Sequence, residues 1–406
     1  MNNTFRAFRN RNYTLYFAGQ SVSLIGTWMQ RTAVVWVVYT MTHSTFMLGL
    51  SVFASQFPSF IFSLYGGILS DRYNRHKILL FTQAASMVQA ILLTILIFSK
   101  HYYAWEILAL SAILGTINAF DVPARQPLIH ELVSDKADIA NALALNFSMV
   151  NLARLVGPAL AGIVLGELGA GVCFLINGLS FVAVIVSLLF MNLPTYHPPT
   201  EKKHISAELL EGFNYLKNTP TLRTTLLILL LMSLLVLPYD TLLPVYAKEI
   251  FKGDAATFGY ISSFIGLGAI AGSFFLASLR SGRNFNKLLL FTNIILGIAL
   301  ILFSHLSIFW PAMLFACLSG FGAISQNTIC LTIVQVHTDA KMRGRVMSYV
   351  AMAYFGMLPI GSLIIGSLSQ EIGAPNTILF QGIIALVITL FFARYLITNN
   401  TSQNTN

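Results

Sequence analysis

Few side chains in this sequence can hold or pass a charge, and those few are placed in register. Asn118, Asp121 and Arg125 are spaced i, i+3, i+7, which puts all three on one face of a helix. A carboxylate and a guanidinium so placed either neutralise each other or serve charge movement. Gln20, Ser23, Thr27 and Arg31 share another helical face, with Gln30 beside it. Arg154 stands inside a third apolar stretch. Such groups suit recognition of a polar solute and movement of charge rather than bond-making chemistry.

No catalytic constellation competes with that reading. There is no Ser-His-Asp or His-Glu-x-x-His arrangement, so no enzyme activity is expected. No Gly-x-x-x-x-Gly-Lys-(Ser/Thr) run offers a phosphate cradle, so ATP is not the expected energy source and no cofactor is called for. All eight histidines fall at or near the ends of apolar stretches, which argues against a histidine relay or an intramembrane metal site. Cys173, Cys317 and Cys330 lie inside apolar stretches without disulfide or metal spacing and read as small packing residues.

The elements that must position these groups follow from composition. The chain of 406 residues is 56% hydrophobic and 10% charged, whereas soluble domains average about 25% charged. A spanning helix needs about 20 predominantly apolar residues. That window finds twelve candidates, the first centred near Thr27 and the last near Leu386. The first is too long for a signal-peptide core and has no small-residue cleavage site after it, so it is expected to be retained.

The net charge of +9 invites a nucleic-acid partner, but its distribution excludes one. Eighteen of the 24 Lys+Arg fall in alternate loops, beginning with Arg6, Arg9 and Arg11 and then Arg72, Arg75 and Lys77. The opposite loops hold Lys100, Lys248 and Lys252. This is the positive-inside pattern, and it predicts that both termini are cytoplasmic. The expected partners are the lipid bilayer, a small-molecule solute and protons, for a monomeric protein.

Placed in spans, the polar residues acquire meaning. An arginine near mid-membrane costs roughly 2.5–3.5 kcal/mol on insertion scales and by default marks a functional site. Arg31 therefore reads as a cavity residue, with snorkelling to the outer surface as the alternative. Arg154 reads equally as a cavity residue or as a structural partner of Asp121. In the second half, Ser233 and Asp240 are i, i+7 on a span broken by Pro238 and Pro244. Asp240 is that half's candidate for proton coupling, the alternative being an acid at the outer end in water. Gln326, Asn327 and Gln335 give the tenth span a polar content that lipid does not favour.

Between the second and third spans lies Gly67-Ile68-Leu69-Ser70-Asp71-Arg72-Tyr73-Asn74-Arg75-His76-Lys77. It resembles the signature loop of the major facilitator superfamily, Gly-x-Leu-(Ala/Ser)-Asp-Arg-x-Gly-Arg-(Arg/Lys). Asn74 replaces the usual glycine, and asparagine tolerates the left-handed backbone expected there. The resemblance implies a cytoplasmic gate formed by Gly67, Asp71, Arg72 and Arg75. In it Asp71 accepts hydrogen bonds at a neighbouring helix start, Arg72 and Arg75 are available to pair with it, and Gly66 and Gly67 admit a helix of the other half. The alternative is a plain positive-inside anchor.

Asn118–Gln126, Asn141–Asn146 and Arg154–Pro158, with Met41–Thr45, resemble the branch that includes enterobactin exporters and macrolide-efflux proteins. That likeness extends over essentially the whole chain. Gly157-Pro158 resembles a motif of the superfamily's antiporters that shapes the fifth helix and limits proton leak.

The halves also resemble each other. Leu79-Leu80-Phe81-Thr82 recurs as Leu289-Leu290-Phe291-Thr292, and Gly157–Gly162 faces Gly361–Gly366. A polar stretch between them carries Ile205, Leu209, Leu210, Phe213 and Leu216 at helical spacing, as in a surface amphipathic helix. The fold expected is an all-α membrane protein of 12 transmembrane helices in two six-helix pseudo-symmetric bundles. These are 1–192 and 223–398, with a linker at 193–222 and a tail at 399–406.

The resemblance implies a bacterial inner-membrane exporter working by alternating access in exchange for protons, with its site near the midplane between the halves. Gln20, Thr27, Gln30, Arg31, Asn118, Arg154, Ser233 and Gln326 are its expected cavity residues. Arg31, Arg154 and Arg125 outnumber Asp121, which favours an anionic siderophore as cargo. A multidrug or macrolide exporter, a lysophospholipid flippase and a non-transporting membrane sensor or scaffold stay open as alternatives.

Overall fold

A computed structural model of the protein describes residues 3–133, 135, 138–191, 205–279, 284–339 and 342–398; at 3, 4, 71, 205–209 and 394–398 this covers the backbone alone. The expected linker start at 193–204, the tail 399–406 and the side chain of Asp71 lie outside the described residues. After a 3-10 helix (Asn3–Arg9) come α1 (Arg11–Thr42), α2 (Thr45–Arg72), α3 (Arg75–Phe98), α4 (Ala104–Glu131), α5 (Ile139–Glu167) and α6 (Ala170–Leu189). Then follow α7 (Ile205–Asn218), α8 (Pro220–Leu235), the single turn α9 (Leu243–Val245), α10 (Ala255–Ala277) and α11 (Phe285–Ser304). The chain ends with α12 (Phe309–His337), α13 (Arg343–Ala351), α14 (Met357–Ile372) and α15 (Ala374–Thr398).

Among the described residues, eleven helical segments are long and apolar enough to cross a membrane. The 32-residue α1 is not among them, because Gln20, Ser23, Thr27, Gln30 and Arg31 thin its apolar content. By packing, the chain divides into two compact units. One comprises Met1–His43, Ser51–Glu201 and Gly253–Ser263; the other comprises Ser44–Leu50, Lys202–Lys252 and Phe264–Asn406.

The first unit is built around Tyr13, Tyr16, Leu79, Leu128, Leu188 and Met191. Its N-terminal segment is tied to the start of α5. Arg6 forms an ion pair with Asp138, Ala7 N–H donates to Asn141 Oδ1 (2.9 Å), and the Tyr13 hydroxyl donates to the Ala142 carbonyl (2.9 Å).

In the second unit Tyr246 stacks on Phe303 (4.7 Å between centroids) and donates to the Ser304 carbonyl (2.7 Å). The expected amphipathic helix forms as α7. Leu216 is buried, Leu210 and Phe213 remain exposed, and Glu211 pairs with Arg345 of α13 at 2.8 Å. Outside the spans, Asp254 caps α10: the Thr257 N–H and hydroxyl donate to its carboxylate and hold it below its usual range.

The internal repeat reaches further than the sequence match. Asn74 and Asn284 each cap the helix that carries the repeated Leu-Leu-Phe-Thr, accepting from the N–H groups of His76 and Lys77 and of Lys287. Asn74 therefore differs from the left-handed residue expected of a glycine position. Its φ is −61°, and its side chain rather than its backbone freedom makes the turn. The repeated Thr82 and Thr292 hydroxyl oxygens likewise lie 3.1 and 3.2 Å from the Leu79 and Leu289 carbonyl oxygens.

The Ser233–Asp240 register also differs from expectation. Pro238 cannot donate to a helical carbonyl, so α8 stops at Leu235 and a 3-10 helix runs from Leu237 to Leu242. Such a helix holds about 3.0 residues per turn rather than 3.6. Asp240 is thereby rotated out of strict register with Ser233, and it is exposed where Ser233 is buried.

Gly66 and Gly67 part company. A Cβ on Gly66 would strike the Ala119 carbonyl, so Gly66 lets α2 lie against α4 of its own unit, not against a helix of the other half as expected; Gly67 has nothing within 4 Å. Gly67→Ala should therefore raise thermal stability in detergent, by up to about 1 kcal/mol from reduced chain entropy. Gly66→Ala should lower it by more than that. Equal shifts for the two variants would contradict the packing described.

Candidate functional site

Asp121 is buried where α4 packs on the first third of α3, and three donors converge on it. Thr82 Oγ1 and Gln83 Nε2 of α3 donate to its Oδ1 at 2.8 and 2.7 Å. Arg125, one turn further along α4, forms an ion pair with its Oδ2. Continuous helix from Ala104 to Glu131 preserves the i, i+3, i+7 spacing, and Asn118 lies half-buried one turn before. Asp121 and Arg125 thus neutralise each other inside one unit.

A second cluster centres on Trp28 of α1. Arg31 lies 5.2 Å and Arg154 of α5 lies 5.7 Å from the centre of the indole. Arg31 is one turn from Trp28, so that contact follows from helical spacing. Arg154 arrives because Gly157 lets α5 touch α1: a Cβ at Gly157 would collide with Trp28 Cβ. The next residue, Pro158, is buried in the interior of α5. Two guanidiniums near an indole gain cation–π attraction, and the guanidinium is the side chain whose planar N–H fork matches a carboxylate. Arg154 does not pair with Asp121, whose guanidinium partner is Arg125.

The polar stripe of α1 divides. Thr27 is half-buried and donates to the Ser23 carbonyl at 2.9 Å. Arg31 is exposed, whereas Gln20 and Gln30 are 3% and 2% exposed. Gln30 is held inside the bundle, rather than on an open wall, by a chain of amides. Asn177 Nδ2 donates to Gln30 Oε1 (2.8 Å), Gln30 Nε2 donates to Gln89 Oε1 (3.0 Å), and Gln89 Nε2 donates to the Leu110 carbonyl (3.1 Å). Four helices, α6, α1, α3 and α4, are thereby cross-linked.

In the second unit Ser233 and Gln326 are fully buried, the latter with Nε2 3.5 Å from Cys330 Sγ. Asp240 is exposed on the 3-10 helix. Of the gate residues, Arg72 is exposed, and Arg75 donates to Glu131 at 2.5 Å and to the Ser70 carbonyl at 3.3 Å. Glu131 lies at the far end of α4, so Arg75 joins the α2–α3 turn to α4.

Several of these partners lie beyond sequence reasoning. Gln89 and Asn177 carried the same signal as Gln30, a polar side chain within an apolar span. Thr82 lay in the repeat, but nothing in sequence joined it to Asp121. Trp28 was legible only as the i−3 neighbour of Arg31.

Among the described residues, eleven helices of membrane length, with Asp121 paired to Arg125 and with Arg31 and Arg154 beside the Trp28 ring, define a polytopic membrane protein. Residues 2–406 match the family described as a transmembrane secretion effector. The chain belongs to that family of major facilitator transporters, whose members are transporters and not enzymes. It is 27% identical to the staphyloferrin A transporter of Staphylococcus aureus, over 93% of this chain and 95% of that one. It is also 27% identical to the enterobactin exporter EntS of Shigella boydii, over 81% and 78% of the two chains. A solved POT family transporter in complex with 5-aminolevulinic acid shares the fold, with a TM-score of 0.76, 14% identity, and coverage of 95% and 97%.

The Asp121 cluster makes a sharp test. Asp121→Asn leaves Arg125 charged without its carboxylate and should cost about 3 kcal/mol or more. Adding Arg125→Gln should recover part of that loss. Thermal unfolding of the purified variants reads both, and strictly additive losses would speak against the pair.

Proposed function

We propose that this protein is a secondary active exporter of an anionic, oxygen-rich small molecule of the siderophore class, working by alternating access in exchange for protons. The observation that carries the reading is the Trp28 platform, with Arg31 and Arg154 at 5.2 and 5.7 Å. A flat ring binds a flat aromatic or conjugated group, and the guanidiniums beside it donate paired N–H groups to carboxylate or catecholate oxygens. Since Arg125 and Asp121 offset each other, Arg31 and Arg154 are the cationic groups that stand at the indole. The names of the relatives, a staphyloferrin A transporter and an enterobactin exporter, point to the same class of cargo.

On this reading α1 is the twelfth span, despite its polar stripe, and faces the cargo on its Thr27–Arg31 side. Two six-helix bundles, 1–192 and 223–398, are joined by a cytoplasmic linker at 193–222, and 399–406 forms a cytoplasmic tail. The protein is a monomer in the bacterial inner membrane with both termini in the cytoplasm. Asn118 stands one turn from Asp121, toward the cargo. Asp121 with Arg125, and Asp240 in the second half, are the charge groups available for coupling. Gly67, Asp71, Arg72 and Arg75 serve as the cytoplasmic gate.

The test is secretion under iron starvation, comparing a deletion strain with its parent and with complemented variants. Deletion should abolish release of the strain's iron chelator. Arg154→Ala and Trp28→Ala should each reduce release about tenfold, the worth of one charge-assisted contact, with normal protein levels in the membrane. Unchanged chelator secretion on deletion, or competition by unrelated lipophilic cations, would sink the siderophore reading.

A further inference from the structure

A groove of about 640 Å³ opens on the first unit where the end of α2 meets α3 and α4, well apart from Trp28 in sequence and lined by other residues. Its walls are hydrocarbon and aromatic: Leu69, Ile78, Phe81 and Ala85 on one side, Ile117 and Phe120 on the other. Phe81 is 76% exposed, a surface that a spanning helix presents to acyl chains. The mouth is polar and basic. Lys77 and Tyr73 line it, both exposed, and Arg72 is exposed beside them.

The other cations of this turn are directed elsewhere. Arg75 is engaged by Glu131, and His76 Nε2 lies 2.8 Å from the Leu188 carbonyl. No acid is among the residues lining the groove, and the Asp71 side chain lies outside the described residues.

We propose that this groove holds one anionic phospholipid of the cytoplasmic leaflet, with its phosphate at Lys77 and Tyr73 and an acyl chain along Phe81 toward Ala85. The dimensions agree. Lys77 to Ala85 spans eight residues, about 12 Å of helix, most of the roughly 15 Å depth of one leaflet. A basic pocket between spanning helices at the cytoplasmic boundary is the arrangement that selects anionic headgroups. A phenol at the same level matches the interfacial preference of tyrosine. The occupant also touches Thr82, which lines the groove and donates to Asp121, so the lipid abuts the buried ion pair.

The inference rests on the cytoplasmic placement of the α2–α3 turn under Proposed function, and its test needs no cargo. Purified full-length protein from bilayers of phosphatidylcholine with a minor fraction of phosphatidylglycerol is examined by native mass spectrometry for retained lipid. The wild type should keep one phosphatidylglycerol in preference to phosphatidylcholine, and free glycerol phosphate should not displace it. Lys77→Gln should lower retention about fivefold, the effect of one basic side chain at an anionic surface, and Lys77→Arg should preserve it. Ala85→Phe, which fills the groove and leaves the charges in place, should lower retention similarly.

Retention unchanged in both Lys77→Gln and Ala85→Phe, equal retention of phosphatidylcholine, or displacement by glycerol phosphate would each overturn the lipid site. Such a failure leaves the transport reading standing. Unchanged chelator secretion on deletion, conversely, leaves the lipid site standing.

Discussion

Inside a bilayer there is no water to satisfy a polar group, so each polar side chain on a spanning helix needs a partner within the protein or a cavity to face. The contacts of the first unit follow from this constraint. Asp121 draws Thr82 and Gln83 across from α3 and takes Arg125 from its own helix. Gln30 draws Gln89 and Asn177 into a chain that ends on a backbone carbonyl of α4. Hydrophobic burial gives little preference between one helix arrangement and another when lipid is as apolar as leucine. Directional polar contacts supply that preference, and glycines such as Gly66 and Gly157 set how closely the helices meet.

The same constraint explains what the sequence revealed and what it withheld. Spans, the surface helix α7 and the Asn118–Asp121–Arg125 face were legible because each depends on local period alone. Gln30 was legible as a polar residue in an apolar helix, but period does not say whether such a residue meets a cavity or another amide. That choice is made by Gln89 and Asn177, 59 and 147 residues away. Arg154 was ambiguous for a similar reason: its neighbour is fixed by the α1–α5 approach at Gly157. Asn74 was understood as a tolerant backbone position, whereas its side chain is the functioning part, as an N-cap. The Ser233–Asp240 face is offset because a proline changes the helical pitch between them.

The repeat keeps its scaffold and changes its charge. Both units begin the equivalent helix with an asparagine cap and bury the same leucine and threonine, five and eight residues after the cap. At the residue after that threonine, the first unit has Gln83 reaching Asp121, and the second has Asn293, buried at 1% exposure. Near the sequence equivalent of Asp121 the second unit carries the uncharged Ser325 and Gln326. An amide pays no ionic desolvation penalty, so a neutral set can sit in a dry interior with less compensation than an acid requires. The first unit retains an acid with a guanidinium that offsets it.

That asymmetry bears on mechanism. A salt bridge in a low-dielectric interior is held by mutual attraction, and protonating its acid leaves the partner cation unbalanced. Any change at the Asp121 carboxylate is therefore met by Arg125 directly, and by α3 through Thr82 and Gln83. Gln30 links α3 and α4 to α1, the helix that carries Trp28 and Arg31. The Asp121 and Gln30 clusters thus both fasten α3 to its neighbours, at Thr82 and Gln83 and at Gln89, and Trp28 stands on the same α1 as Gln30. A substitution at either cluster is therefore felt along α3, the helix that both clusters share.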